Sequence, residues 1–165
     1  MRTTLACALA LAAMLAATPA GSADRTRLFR ANAPAWCQGA LPRFEDALRK
    51  RPLAIQNEGE GAAFLSCGVP TQGRVEALVV YAFSSADVDH AITCTLVTGF
   101  QNGSNTYVPK TRGVAAHGGM TSFVWHAVEF GGDEAARDFV SLSCLLPPGT
   151  AIADVQLAFA EDVGS

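Results

Sequence analysis

The sequence predicts a mainly β protein, a disulfide-stapled antiparallel β-sandwich with one short helix, and three observations predict it. Short runs of alternating apolar and polar residues recur from residue 53 to the C-terminus, separated by Gly, Pro, Asn and Asp. Four cysteines remain once an N-terminal leader is set aside, and two of them sit in the middle of such runs. Only one segment carries a helical signature. Short strands at regular spacing with little helix between them favour a sandwich of jelly-roll or immunoglobulin-like type.

The leader is "MRTTLACALALAAMLAATPAGSA", with an early Arg2, an Ala/Leu-rich run and small residues before a cut after Ala23 or Ala20. That is the three-part pattern of a secretory signal peptide. Its apolar run, Leu5 to Ala17, is shorter than the ~18–20 residues a membrane span needs. Residues 1–23 are therefore expected to be removed, Cys7 with them. Residues 24–35, "DRTRLFRANAPA", show no period and read as a loose N-terminal arm. Residues 36–165 read as a single sandwich domain.

Within that domain, "LPRFEDALRKRP" at 41–52 is the helix candidate. Pro42 suits a first turn, Glu45 and Asp46 lie near the positive end, Arg49, Lys50 and Arg51 near the negative end, and Pro52 stops it. Strands are expected at 53–57, 62–67, 75–83, 91–99, 121–130, 138–146 and 153–160. The run 98–120 reads as a long irregular connection with a turn at Asn102-Gly103.

Cys37, Cys67, Cys94 and Cys144 are 30, 27 and 50 residues apart, without the close pairs or neighbouring histidines a metal site uses. An even set in an exported chain reads as disulfides. Three pairings are open. Cys94 shares its parity with Ile92 and Leu96, and Cys144 with Val140, Leu142 and Leu146, so both face a core. That favours Cys94–Cys144 and leaves Cys37–Cys67. Each bridge would contribute roughly 3–4 kcal/mol through the unfolded state.

Loss of Arg2 with the leader leaves eleven basic residues against fifteen acidic, a formal charge of −4. With Arg49, Lys50 and Arg51 the only cluster of three cations, nucleic acid is not an expected partner. No segment after the leader is long and apolar enough for an integral membrane span. No catalytic motif is present, and neither a cofactor nor a metal is expected. Asp87, Asp89 and His90 read as turn chemistry, as do Asp133, Glu134, Arg137 and Asp138. His126 has the opposite parity to Phe123 and Trp125 and is expected on an outer face or at a strand-strand boundary. His117 stands before two glycines with no carboxylate evident nearby, and could contact a ligand. Trp125, Phe123, Tyr81, Phe83, Phe64 and Phe159 lie inside strand patterns and read as core. Trp36 and Tyr107 are the rings expected at the surface.

Taken together, "WCQ" (36–38), "LSCGVP" (66–70), "ITCTL" (92–96) and "LSCLLPPGTAIADVQLAFAED" (142–162) resemble a group of small uncharacterised secreted bacterial proteins. Those proteins have four cysteines and a Cys-x-Leu-Pro motif before the last strand. The resemblance implies export, to the periplasm or the exterior, and a β-sandwich, and it carries no activity. The expected function is thus a non-enzymatic binding or structural module of the bacterial envelope or exterior, meeting a protein or glycan through its loops. Alternatives are a carbohydrate-binding module using Trp36 or Tyr107, and a glycan hydrolase with loop carboxylates.

Overall fold

A computed structural model describes residues 23–71, 73–99, 105–131 and 140–164. Eleven strands run through them: β1 (Asp24–Asn32), β2 (Cys37–Gly39), β3 (Leu48–Arg51), β4 (Ala54–Asn57), β5 (Ala63–Val69), β6 (Arg74–Ser84), β7 (His90–Gly99), β8 (Asn105–Val114), β9 (Thr121–His126), β10 (Val140–Leu146) and β11 (Thr150–Asp162). They form two antiparallel sheets. The six-stranded sheet has the order β3-β4-β11-β6-β9, with β1 lying on the same edge of β11 as β4. The five-stranded sheet has the order β2-β5-β10-β7-β8.

From β4 onward the chain crosses between sheets at every connection except that from β7 to β8, so that β4-β11-β6-β9 faces β5-β10-β7-β8. That eight-strand order is a jelly roll, and it decides between the two sandwich types. The core lies between the sheets. On one side it is built from Val155 and Leu157 of β11, Leu78 and Val80 of β6, and Phe123 and Trp125 of β9. On the other are Leu65, Ile92, Leu96, Leu142 and Leu146, all buried. The Trp125 indole Nε1–H donates to the Val108 carbonyl at 2.9 Å, tying the edge of one sheet to that of the other.

Both disulfides form as the strand parities favoured, Cys94–Cys144 and Cys37–Cys67. Each joins directly opposed residues on neighbouring strands of the five-stranded sheet, β7 to β10 and β2 to β5. All four cysteines are buried. Such bridges are consistent with an extracellular location. Among the described residues no helix is long and apolar enough to cross a membrane.

Four expectations are corrected. Residues 24–32 are not a loose arm: β1 pairs with β11 along its whole length, from Asp24 opposite Asp162 to Asn32 opposite Asp154. It lacks a readable period because mainly Phe29 and Ala31 turn inward from this outermost strand. The helix at 41–52 is reduced to one turn, Pro42–Glu45. Leu48–Arg51 instead pairs with β4, and Pro52-Leu53 becomes a two-residue hairpin turn. So short a helix is marginal without tertiary support, whereas the ladder gives the backbone fixed partners and buries Leu48.

The third correction concerns 98–120, which is largely strand: β8 pairs with β7 from Asn105 opposite Gly99 to Val114 opposite His90. The turn expected at Asn102-Gly103 lies outside the described residues. Finally, the strand expected at 121–130 ends at His126, and Ala127–Glu129 is a 3₁₀ turn. There the Glu129 carboxylate accepts the His126 backbone N–H at 2.8 Å.

Candidate functional site

The three ligand-contact candidates do not meet. Trp36 ends the helical turn Ala33–Trp36, is 40% exposed, and is met edge-on by Phe29 at 5.7 Å. Tyr107, 61% exposed, lies on β8, the edge of the five-stranded sheet opposite β2. His117 sits in the loop after β8 at φ 46°. It does have a carboxylate partner, contrary to expectation: its Nε2 is 2.7 Å from Oδ1 of Asp87. Asp89 Oδ1 accepts the Ala116 N–H at 2.8 Å, so the two aspartates fasten the β6–β7 turn to the loop after β8. His126 is exposed as expected. Asp133, Glu134, Arg137 and Asp138 lie outside the described residues.

A different surface gathers binding chemistry. In β6 burial alternates residue by residue from Ala77 onward, with Leu78, Val80 and Ala82 in the core. Tyr81 and Phe83 therefore face outward and are half-buried, on a central strand of the six-stranded sheet. Two residues apart on one face, their Cβ atoms stand roughly 6.5–7 Å from each other. Asp154 of β11 is directly opposite Tyr81 on one side and Ser122 of β9 on the other. Gln156 stands opposite Val79, with its amide Nε2 3.4 Å from Asp154 Oδ2. Two ring surfaces are thus bordered by a carboxylate, an amide and a hydroxyl.

Beyond Phe83 the same face sinks into a hollow of about 460 Å³, lined by Arg51, Pro52, Leu53, Ala54, Gln56, Phe83, Met120 and Ala153. A shift in register between Ile152 and Asp154 accompanies the hollow, where Ala54, Ala151 and Ala153 form a small cluster apart from the main core. Leu53 and Met120 are 71% and 57% exposed. Gln56 Nε2–H donates to Ser85 Oγ at 2.6 Å, and Arg51 is paired with Glu58.

Solved structures to which the chain is similar include the C-terminal family 6 carbohydrate-binding module of a laminarinase from Zobellia galactanivorans. Identity is 10%, with 79% of this chain and 98% of that one covered and a TM-score of 0.49. Another is a family 61 carbohydrate-binding module in complex with β-1,4-galactotriose (12% identity, 79% and 86% covered, TM-score 0.41). A third is the family 11 carbohydrate-binding module from Clostridium thermocellum in complex with a β-1,3-1,4-mixed-linked tetrasaccharide (8% identity, 90% and 94% covered, TM-score 0.40). No family model and no curated protein matches the chain. Identities this low carry no residue from one chain to another, so the site rests on the geometry above.

Tyr81 and Phe83 are the residues that sequence reasoning misplaced. "VEALVVYAF" is apolar on both parities, so its pattern cannot say which side faces the core. Phe64 was misplaced for a similar reason: it is 43% exposed on β5, 6.0 Å from Phe44. Trp125, Phe123 and Phe159 are buried as expected.

Proposed function

We propose that this protein is a non-catalytic glycan-binding module, and that its binding face is the outer face of the six-stranded sheet around Tyr81. The observation that carries the reading is the placement of Tyr81 and Phe83 beside Asp154, Gln156 and Ser122. A sugar ring has apolar C–H faces and a hydroxyl rim. Half-exposed aromatic rings take the first, and a carboxylate, an amide and a hydroxyl on rigid strands can hydrogen-bond the second. The strands hold these groups in place before the ligand arrives, which lowers the entropic cost of binding. Trp36 and Tyr107 are not part of this site. A partner-binding protein acting through the 98–120 connection loses its motivation, because Asn105–Val114 is a strand. Export of a bacterial protein by the leader at 1–23, to the periplasm or beyond, belongs to the same proposal, as does the kinship with small secreted four-cysteine proteins.

Isothermal titration of the oxidised chain against a panel of soluble polysaccharides and their oligosaccharides tests it. At least one glycan should bind, and Tyr81→Ala should weaken that binding about tenfold, or 1.4 kcal/mol, with melting little changed. Trp36→Ala and Tyr107→Ala should leave it as it was. A flat panel, or a glycan whose affinity ignores Tyr81→Ala, would overturn the reading.

A further inference from the structure

The hollow beyond Phe83 does not suit the glycan itself. Among the described residues its polar side chains are Gln56, engaged with Ser85, and Arg51, which shares the Glu58 carboxylate with Arg49 and offers one charged group in place of a set of hydroxyl partners; the rest of the wall is alanine, proline, leucine, methionine and phenylalanine. A hydroxylated ring pressed into it would lose water without regaining hydrogen bonds. An apolar body has the opposite balance. Leu53 and Met120 are largely exposed here, and alanines at 54 and 153 keep the space open. The hollow's volume, about 460 Å³, is roughly three times that of the ~150 Å³ apolar cavity known to take benzene. An aromatic ring would also meet the Phe83 face and the Met120 sulfur, both favourable contacts.

Charge sets the second requirement. Arg49 and Arg51 lie on the same face of β3 and share the single carboxylate of Glu58, Arg49 Nε at 3.8 Å and Arg51 more closely. On this face two guanidiniums against one carboxylate leave the margin positive, complementary to an anion.

We propose that the hollow is a second binding site, for a single-ring aromatic carboxylate: the ring lies against Phe83, Met120 and Leu53, and the carboxylate meets Arg51. The site adjoins the Tyr81 platform and shares Phe83 with it, and stands whether or not a glycan binds there.

The probe is 3-phenylpropionate, with 3-phenyl-1-propanol as its uncharged counterpart, titrated into isotopically labelled oxidised protein and followed by NMR. For so small a ligand a Kd of about 1 mM or tighter is expected, with shifts centred on Leu53, Ala54, Met120 and Ala153. The alcohol should bind at least about fivefold more weakly. Arg51→Gln should remove most of that difference. Met120→Glu, at an exposed position where folding is not at stake, should weaken the carboxylate about tenfold or more, while Tyr81→Ala should leave it within about twofold. No saturable shift at these residues by 10 mM ligand (about tenfold above the expected Kd) would overturn the site. Equal binding of acid and alcohol, or indifference to Met120→Glu, would overturn the proposed ligand.

Discussion

Removing the Cys94–Cys144 bridge by the double substitution C94A/C144A should be among the most damaging changes this fold can suffer without a change of its core shape. The bridge closes a segment of 50 residues. For that length the chain-entropy relation gives about 14 cal/mol/K of unfolded-state entropy, or about 4 kcal/mol at 25 °C. The cysteines are register partners in the ladder joining β10 to β7 and are buried, so the alanines also leave a small void. Unfolding entropy near 60 °C is roughly 2.1 cal/mol/K per residue, which for a domain of about 140 residues makes 4 kcal/mol worth roughly 13 °C. Calorimetry of the oxidised wild type and the double variant, at one pH and scan rate, reads the shift. A fall in Tm of about 10–16 °C is expected. A fall under about 3 °C, with the remaining bridge confirmed intact, would refute the reasoning and imply a denatured state already compact across this loop.

Three further predictions follow from single sites. Asn57 is buried, its amide donating to the carbonyls of Gly61 and Leu146 at 2.8 Å each and its Oδ1 accepting the Gly59 N–H at 3.0 Å. Asn57→Ala removes three hydrogen bonds from a buried side chain and should cost about 3 kcal/mol in urea denaturation; a loss below about 1 kcal/mol would contradict this. Gly73 adopts φ 99°, and a Cβ there would meet the Ala160 carbonyl oxygen at 2.3 Å. Gly73→Ala should therefore destabilise by about 1–3 kcal/mol, and a neutral result would place the β5–β6 turn differently. The hydrogen bond from Lys110, then that from the His126 backbone, hold the Glu129 carboxyl below its ordinary range. A depressed folded-state pKa stabilises above the unfolded pKa and ceases to do so as pH falls through the folded one. The advantage of wild type over Glu129→Gln should thus be full at pH 7 and fade below about pH 4, and an advantage that grows with acid would refute the assignment.

Among the strands legible in the sequence, β5, β7 and β10 were read from the difference between their two faces, where inward and outward residues alternate. The same parity made both disulfides readable, since a cysteine in register with Ile92 and Leu96 has to face the core. The strands that were missed are edges. β8 carries Lys110 on the parity of Cys94, opposite which it lies. There the ammonium bonds the Val124 carbonyl at 2.5 Å and Glu129 at 2.6 Å, 5.7 Å from the Trp125 ring centroid. An inward-pointing charge protects an edge from stray pairing, and it also erases the hydrophobic period from the sequence. β3 presents Arg49, Lys50 and Arg51 for a similar reason, and the same charges mimic a helix C-terminus. Tyr81 and Phe83 were hidden by the opposite circumstance. β6 is apolar on both faces, and only the position of its neighbours β11 and β9 shows which face is outside.

The claim that the outer face of the six-stranded sheet binds a glycan is tested most directly by mapping. The first glycan to bind in titration should be added to ¹⁵N-labelled oxidised protein, and the amide shifts followed residue by residue. The account predicts the largest shifts at Tyr81, Phe83, Ser122, Asp154 and Gln156, with Trp36 and Tyr107 unmoved. Shifts centred on Trp36, on Tyr107 or on the loop around His117, with the Tyr81 face silent, would contradict it.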